Sequence, residues 1–148
     1  EGLQLKLILI THSHADHILD LASLRQSTGA PAYTGRLEPV DGAVPIDVGH
    51  TFECGSLKIT ALSTWGHSKG GISYRIEGLE RPLAVVGDAV FAGSMGGGSV
   101  SYADALRTNR EALLSLPPET VLCPGHGPLT TVGEERLHNP FFANHKPA

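Results

Sequence analysis

The sequence predicts an α/β fold with helices lying outside a sheet, and three observations carry that prediction. Segments of period-two alternation and segments of helical period succeed one another along the chain. The unusual polar motifs fall just after predicted strands, where the loops of such scaffolds carry chemistry. The 148 residues are 41% apolar, a length and composition that fit one globular domain spanning 1–148.

The elements follow in order. LQLKLILI, Leu3–Ile10, alternates Leu3, Leu5, Leu7 and Leu9 against Gln4, Lys6, Ile8 and Ile10, and reads as a strand. Ile18, Leu21, Ala22 and Leu24 recur at helical spacing until Gly29 and Pro31 end the pattern, giving a helix from about Asp16 to Ser27. Gly35–Gly49 is rich in Gly and Pro and reads as loop. SLKITAL and GISYRIEG alternate as antiparallel neighbours, with Ile72, Tyr74 and Ile76 on one face. PLAVVGD, Pro82–Asp88, is almost wholly apolar, as in a strand covered on both sides. GSMGGGS, Gly93–Ser99, lacks core-forming side chains and reads as a flexible loop, either a lid or a connector. A helix from about Tyr102 to Leu116 stops at Pro117 and Pro118. TVLC is a short strand, and TVGE, Thr131–Glu134, matches a structural capping box opening a last helix.

Bulk properties exclude several functions. A net charge of −4 offers no basic field for nucleic acid. The longest apolar run, LKLILI, contains a lysine and is far short of the roughly 20 residues of a membrane helix, so no membrane span is expected. No leader is visible, which fits a cytoplasmic location, although the chain opens at Glu1 and leaves a removed or trimmed start open. Cys54 and Cys123 follow no C-x-x-C pattern and read as reduced, mostly buried thiols.

The chemistry concentrates in THSHADH, Thr11–His17, which holds three of the eight histidines. In an extended loop, residues two apart point the same way, so His12 and His14 can present two imidazoles to one metal. Asp16 and His17 lie on the next turn and diverge toward a second ion close by, which makes a dinuclear site the natural reading. Further polar residues stand at strand ends beside glycines: His67 in STWGHSKGG, Asp88 in VVGDAVF and His126 in CPGHGP. His50, His138 and His145 lack partners at ligand spacing and read as surface residues. Five histidines and two aspartates suit zinc first, with iron or manganese as alternatives.

Through THSHADH, the glycine-flanked His67, GDAVFAGS, PGHGPLTTVGEER and the closing NPFF, the chain resembles the metallo-β-lactamase superfamily, and within it the glyoxalase II-like hydrolases. The resemblance implies an αββα sandwich. It implies that His12, His14 and His67 bind one divalent ion, that Asp16, His17 and His126 bind another, and that Asp88 bridges the two. It also makes the carboxylates Asp16 and Asp88 the catalytic residues. Two departures stand out: the usual first strands, with a D-x-G turn, do not precede Leu3, and Gly96–Gly98 occupy a place where a basic residue often stands. A half-sheet without those strands would expose an apolar face or edge, which predicts a homodimer or higher oligomer.

The implied activity is hydrolysis of a small-molecule ester or thioester such as S-lactoylglutathione, with water activated between two ions. The alternatives are phosphodiester, sulfate ester or lactone hydrolysis at the same site, a persulfide dioxygenase using one iron ion, and a scaffold with no productive site.

Overall fold

A computed structural model describes residues 2–143 of the chain; His145 lies outside the described residues. In chain order the elements are β1 (Ile8–Leu9), α1 (Ala15–Ile18), α2 (Leu21–Thr28), β2 (Ala32–Gly35), β3 (Ala43–Ile46), β4 (Thr51–Cys54), β5 (Leu57–Ser63), β6 (Ile72–Glu77) and β7 (Leu83–Gly87). The hairpin β8 (Val90–Phe91) and β9 (Ser94–Met95) follows, then α3 (Tyr102–Ala112), β10 (Val121–Pro124), β11 (Thr130–Thr131) and α4 (Val132–His138). Strands β1, β2 and β3 form a parallel sheet in that order. A mixed six-stranded sheet runs β11-β10-β7-β6-β5-β4.

The side-chain alternation dictates four layers. Along β1 and the residues flanking it, Ile8 and Ile10 face Ile18 and Leu21 of the first two helices, while Leu7 and Leu9 face the other way, onto Phe52, Ile59, Ala61, Ile72 and Tyr74 of the large sheet. On the far face of that sheet, Ala84, Val86 and Leu122 pack against Ala105, Leu113 and Val132 of α3, the segment after it and α4. The result is an αββα sandwich, as the family resemblance implies, with helices outside both sheets where the chain pattern predicts helices outside one. Among the described residues, no helix is long and apolar enough to cross a membrane.

Several local expectations need correction. The strand expected over Leu3–Ile10 is confined to Ile8 and Leu9, because pairing begins only where β2 lies alongside, at Ile8↔Ala32. Leu3 and Leu5 are exposed. The helix expected over Asp16–Ser27 is split, so that a single turn carries Asp16 and His17 apart from α2. Gly35–Gly49 contains β3 as well as loop. Pro45 disguised it, and the strand tolerates that proline because β3 lies at the edge of its sheet. GSMGGGS is not wholly loop: Ser94 and Met95 pair with β8. Gly93 N donates to Glu135 Oε2, and Asn139 Nδ2 donates to Ser94 O, which pins this hairpin to α4.

Other expectations hold. β5 and β6 are antiparallel neighbours, and β7 lies inside the sheet between β6 and β10, with Ala84 and Val86 buried on one face and Leu83 and Val85 half-buried on the other. Thr131 Oγ1 caps α4 by accepting from Glu134 N. Cys54 and Cys123 are free thiols, half-buried rather than mostly buried. His50 and His138 are exposed, the former against the Phe52 ring and the latter 3.8 Å from Glu134.

Candidate metal centre

The two sheets are joined directly beneath the opening motif. Tyr74 Oη donates to Ile10 O at 2.9 Å, and Ile72 N donates to Thr11 O at 3.0 Å. Burial holds the Tyr74 hydroxyl well above its ordinary pKa, so it stays a neutral donor. These bonds fix the end of β1, from which His12 and His14 project. The ends of β7 and β10 are fixed in the same way: Gly125 N donates to Gly87 O at 2.8 Å, next to a register shift at Cys123/Pro124. Asp88 and His126 therefore leave adjacent strand ends. α3 supplies the remaining support, with Thr108 Oγ1 donating to Trp65 O and Asn109 Nδ2 to Ala89 O.

The structure brings all seven candidate residues together at this edge of the sandwich, in two groups. His12, His14, His67 and Asp88 each offer one ligand atom within 4.8 Å of the others, and Asp16, His17 and His126 do the same. Asp88 lies between the groups. Its Oδ2 is 3.9 Å from His12 Nε2 and 3.5 Å from His67 Nε2, while Oδ1 is 3.3 Å from His17 Nε2. His126 Nε2 is 3.6 Å from Asp88 Oδ2 and 3.1 Å from Asp16 Oδ2.

The donor set fits divalent cations. His12 Nε2, His17 Nε2 and Asp88 Oδ1 are buried without hydrogen-bond partners, a costly arrangement unless something else satisfies them. In His67 and His12 the opposite ring nitrogen is engaged. His67 Nδ1 lies 2.8 Å from Gly97 O, to which it can only donate, so the lone pair falls on Nε2 and faces His14 Nδ1 at 3.1 Å. His12 Nδ1 meets Thr11 Oγ1 at 3.1 Å, which leaves its Nε2 turned inward. Gly97 O, Thr11 and Asn109 had no ligand-type signal in the sequence, because the first acts through a backbone oxygen, the second through a single hydroxyl and the third through a side-chain amide within a helix.

Burial, reinforced by the neighbouring His17, lowers the His12 pKa to about 4, against an opposing pull from Asp88. The imidazole is thus held neutral, the form a metal requires. Its stability consequence has a definite sign. Between pH 6.5 and 4 the unfolded chain takes up a proton that folded His12 refuses, so folding stability falls as pH falls through that window. Metal-free protein should lose about 2–3 kcal/mol over that range from this group. Thermal melts of chelator-treated protein between pH 7.5 and 4.5 check this, and a His12→Asn variant should show a flatter profile.

Residues 1–126 match the metallo-beta-lactamase superfamily. The chain is 32% identical to the probable metallo-hydrolase YqgX of Bacillus subtilis (strain 168), over 96% of this chain and 78% of that protein. It is also 32% identical to a hydroxyacylglutathione hydrolase of Cereibacter sphaeroides, over 84% of this chain and 49% of the relative. Among solved structures, ETHE1 from Myxococcus xanthus superposes with a TM-score of 0.83 at 29% identity, covering 94% of this chain. The match spans 63% of the ETHE1 chain.

Proposed function

Because the chain belongs to the metallo-β-lactamase superfamily and carries a metal-dependent hydrolase site of that kind, we propose that it is a dinuclear thioesterase of the glyoxalase II type, acting on a small acyl thioester such as S-lactoylglutathione. The observation that carries the reading is Asp88, whose two oxygens face the two histidine groups. The similarity to a hydroxyacylglutathione hydrolase supports the substrate class.

One ion would be held by His12, His14 and His67, the other by Asp16, His17 and His126, with Asp88 shared. Zinc suits this set best, with iron or manganese as alternatives. When bound, such a pair lowers the pKa of water toward neutrality and polarises a substrate carbonyl. The protein's own part is preorganisation. Gly97 holds the tautomer of His67 and Thr11 anchors the ring of His12, so that neither ring must reorient during turnover. Asp16 and His126 stand at the open side, with side chains 59% and 56% exposed, where a substrate can approach. A thiolate leaves without a strong general acid, since its conjugate acid has a pKa of about 8–9. This favours thioesters over ordinary esters at a site built from imidazoles and carboxylates.

Metal-loaded protein is expected to turn over S-lactoylglutathione steadily, and His14→Ala is expected to abolish that turnover. An inactive wild type carrying its full metal complement would remove this substrate from consideration. A second reading, a mononuclear iron dioxygenase of persulfides, draws on the unequal enclosure of the two groups: the His12 side chain is 3% exposed, against 56% for His126. Elemental analysis separates the two. About two metals per chain go with hydrolysis, and a single iron with oxygen uptake on glutathione persulfide goes with the alternative.

A further inference from the structure

Glu38 is a charged residue buried to 5% exposure in the turn after β2, outside both histidine groups. Its carboxylate reaches two separate segments. Oε1 accepts from Ser13 N at 3.0 Å and also from the Ser13 hydroxyl, while Oε2 accepts from Gly70 N at 2.8 Å. Ser13 is the residue between His12 and His14, and Gly70 lies three positions after His67.

Side chains alternate along an extended segment, so turning Ser13 toward Glu38 turns His12 and His14 to the opposite side. That side is where His67 and Asp88 stand. Glu38 is itself immobilised: its amide donates to Gly35 O, its carbonyl accepts from Thr34 Oγ1, and Arg36 N donates to Ile46 O of β3. The two segments also meet without intervening side chains. A Cβ on Gly70 would fall 2.4 Å from Leu37 C, and one on Gly35 would fall 2.3 Å from Gly70 O. Burial pushes the Glu38 carboxyl pKa up, but the bonds from Ser13 and Gly70 outweigh it and hold the group below its ordinary value, as an acceptor-only carboxylate.

We propose that Glu38 is a positioning residue that clamps the His12–His14 loop to the segment following His67 and thereby sets the spacing of the more enclosed metal-ligand group. The proposal rests on the reading that this group holds a metal. Glu38 needs no contact with metal or substrate; it acts through Ser13 and Gly70.

The test measures zinc affinity by chelator competition, together with the visible absorption of the cobalt(II)-substituted protein, for wild type, Ser13→Ala, Glu38→Gln and Glu38→Ala. Ser13→Ala keeps the amide bond and is expected to weaken zinc only a few-fold. Glu38→Gln keeps the shape but sets an amino group against one of the donors, and is expected to cost about tenfold. Glu38→Ala is expected to cost about 10–100-fold, the range seen when groups supporting metal ligands are removed. The cobalt bands should shift in step. A lower melting temperature of the metal-free variants with wild-type zinc affinity and wild-type cobalt bands would overturn the clamp alone, leaving a structural residue. A wild type that takes up no metal would overturn the clamp together with the reading beneath it. If Glu38→Ala does not fold, the Ser13→Ala and Glu38→Gln pair decides: unchanged affinity and spectra in both refute the proposal.

Discussion

Asp88→Asn is expected to lower kcat/KM by about 10³-fold or more and to leave the protein with fewer than two tightly held metals. Asparagine matches aspartate in shape, so the effect isolates charge and acceptor capacity. The amide keeps one oxygen and turns two N–H donors toward either His17 Nε2 or the His12 and His67 Nε2 atoms, whose lone pairs face inward. The negative charge that would balance two cations is lost from a residue only 8% exposed. Folding should survive, because Asp88 Oδ1 has no hydrogen-bond partner to lose. Steady-state kinetics, elemental analysis and circular dichroism on the same preparation check the three statements. An asparagine variant within tenfold of wild type and carrying two metals would remove Asp88 from its bridging role.

The second large effect comes from a residue with no side chain. A Cβ built on Gly125 falls 2.5 Å from Asp88 Oδ1 and 2.5 Å from His17 Cε1, so Gly125→Ala drives a methyl group between these two candidate ligands. The backbone there is not left-handed, and alanine costs nothing in conformation. Strand pairing through Gly125 N to Gly87 O resists retreat of the main chain. Displacement of about 1 Å at reacting groups costs on the order of 10²-fold in rate, and that loss is expected here, with metal affinity falling alongside. Gly127→Ala is the control. Its φ of +81° makes alanine strained, but nothing lies within 4 Å of the added methyl group. The control should lower the melting temperature and spare activity. Equal activity in the two variants would show that the methyl group at residue 125 finds room.

How much of this was legible in the sequence depended on the kind of interaction involved. THSHADH announced itself because imidazoles two residues apart on extended backbone have few structural uses, and Asp88 and His126 stood at the ends of apolar strands. Strands and outer helices were legible through periodicity, and the leucines and isoleucines around β1 do pack to opposite sides, whereas the four layers were implied only by the family resemblance. β3 was hidden because its proline reads as a loop signal unless the strand is known to lie at an edge. The role of the Gly96–Gly98 run was hidden for a different reason: Gly97 acts through its carbonyl, an atom that every residue possesses. Glu38 carried no pattern at all. A lone acid in a turn normally faces water, and only the folding of β2 against the segment after His67 buries it.

The seam between the sheets gives the site a part in the mechanics of the whole molecule. The ligand candidates come from residues 12 to 126, and the two bonds from Tyr74 and Ile72 to the end of β1 join sheets formed by distant parts of the chain. Ions gripped at this seam would act as rivets rather than as guests of one loop. Their binding free energy would then weigh on the cooperative unfolding of both sheets together, so that stripping the metal loosens the scaffold as well as silencing the chemistry.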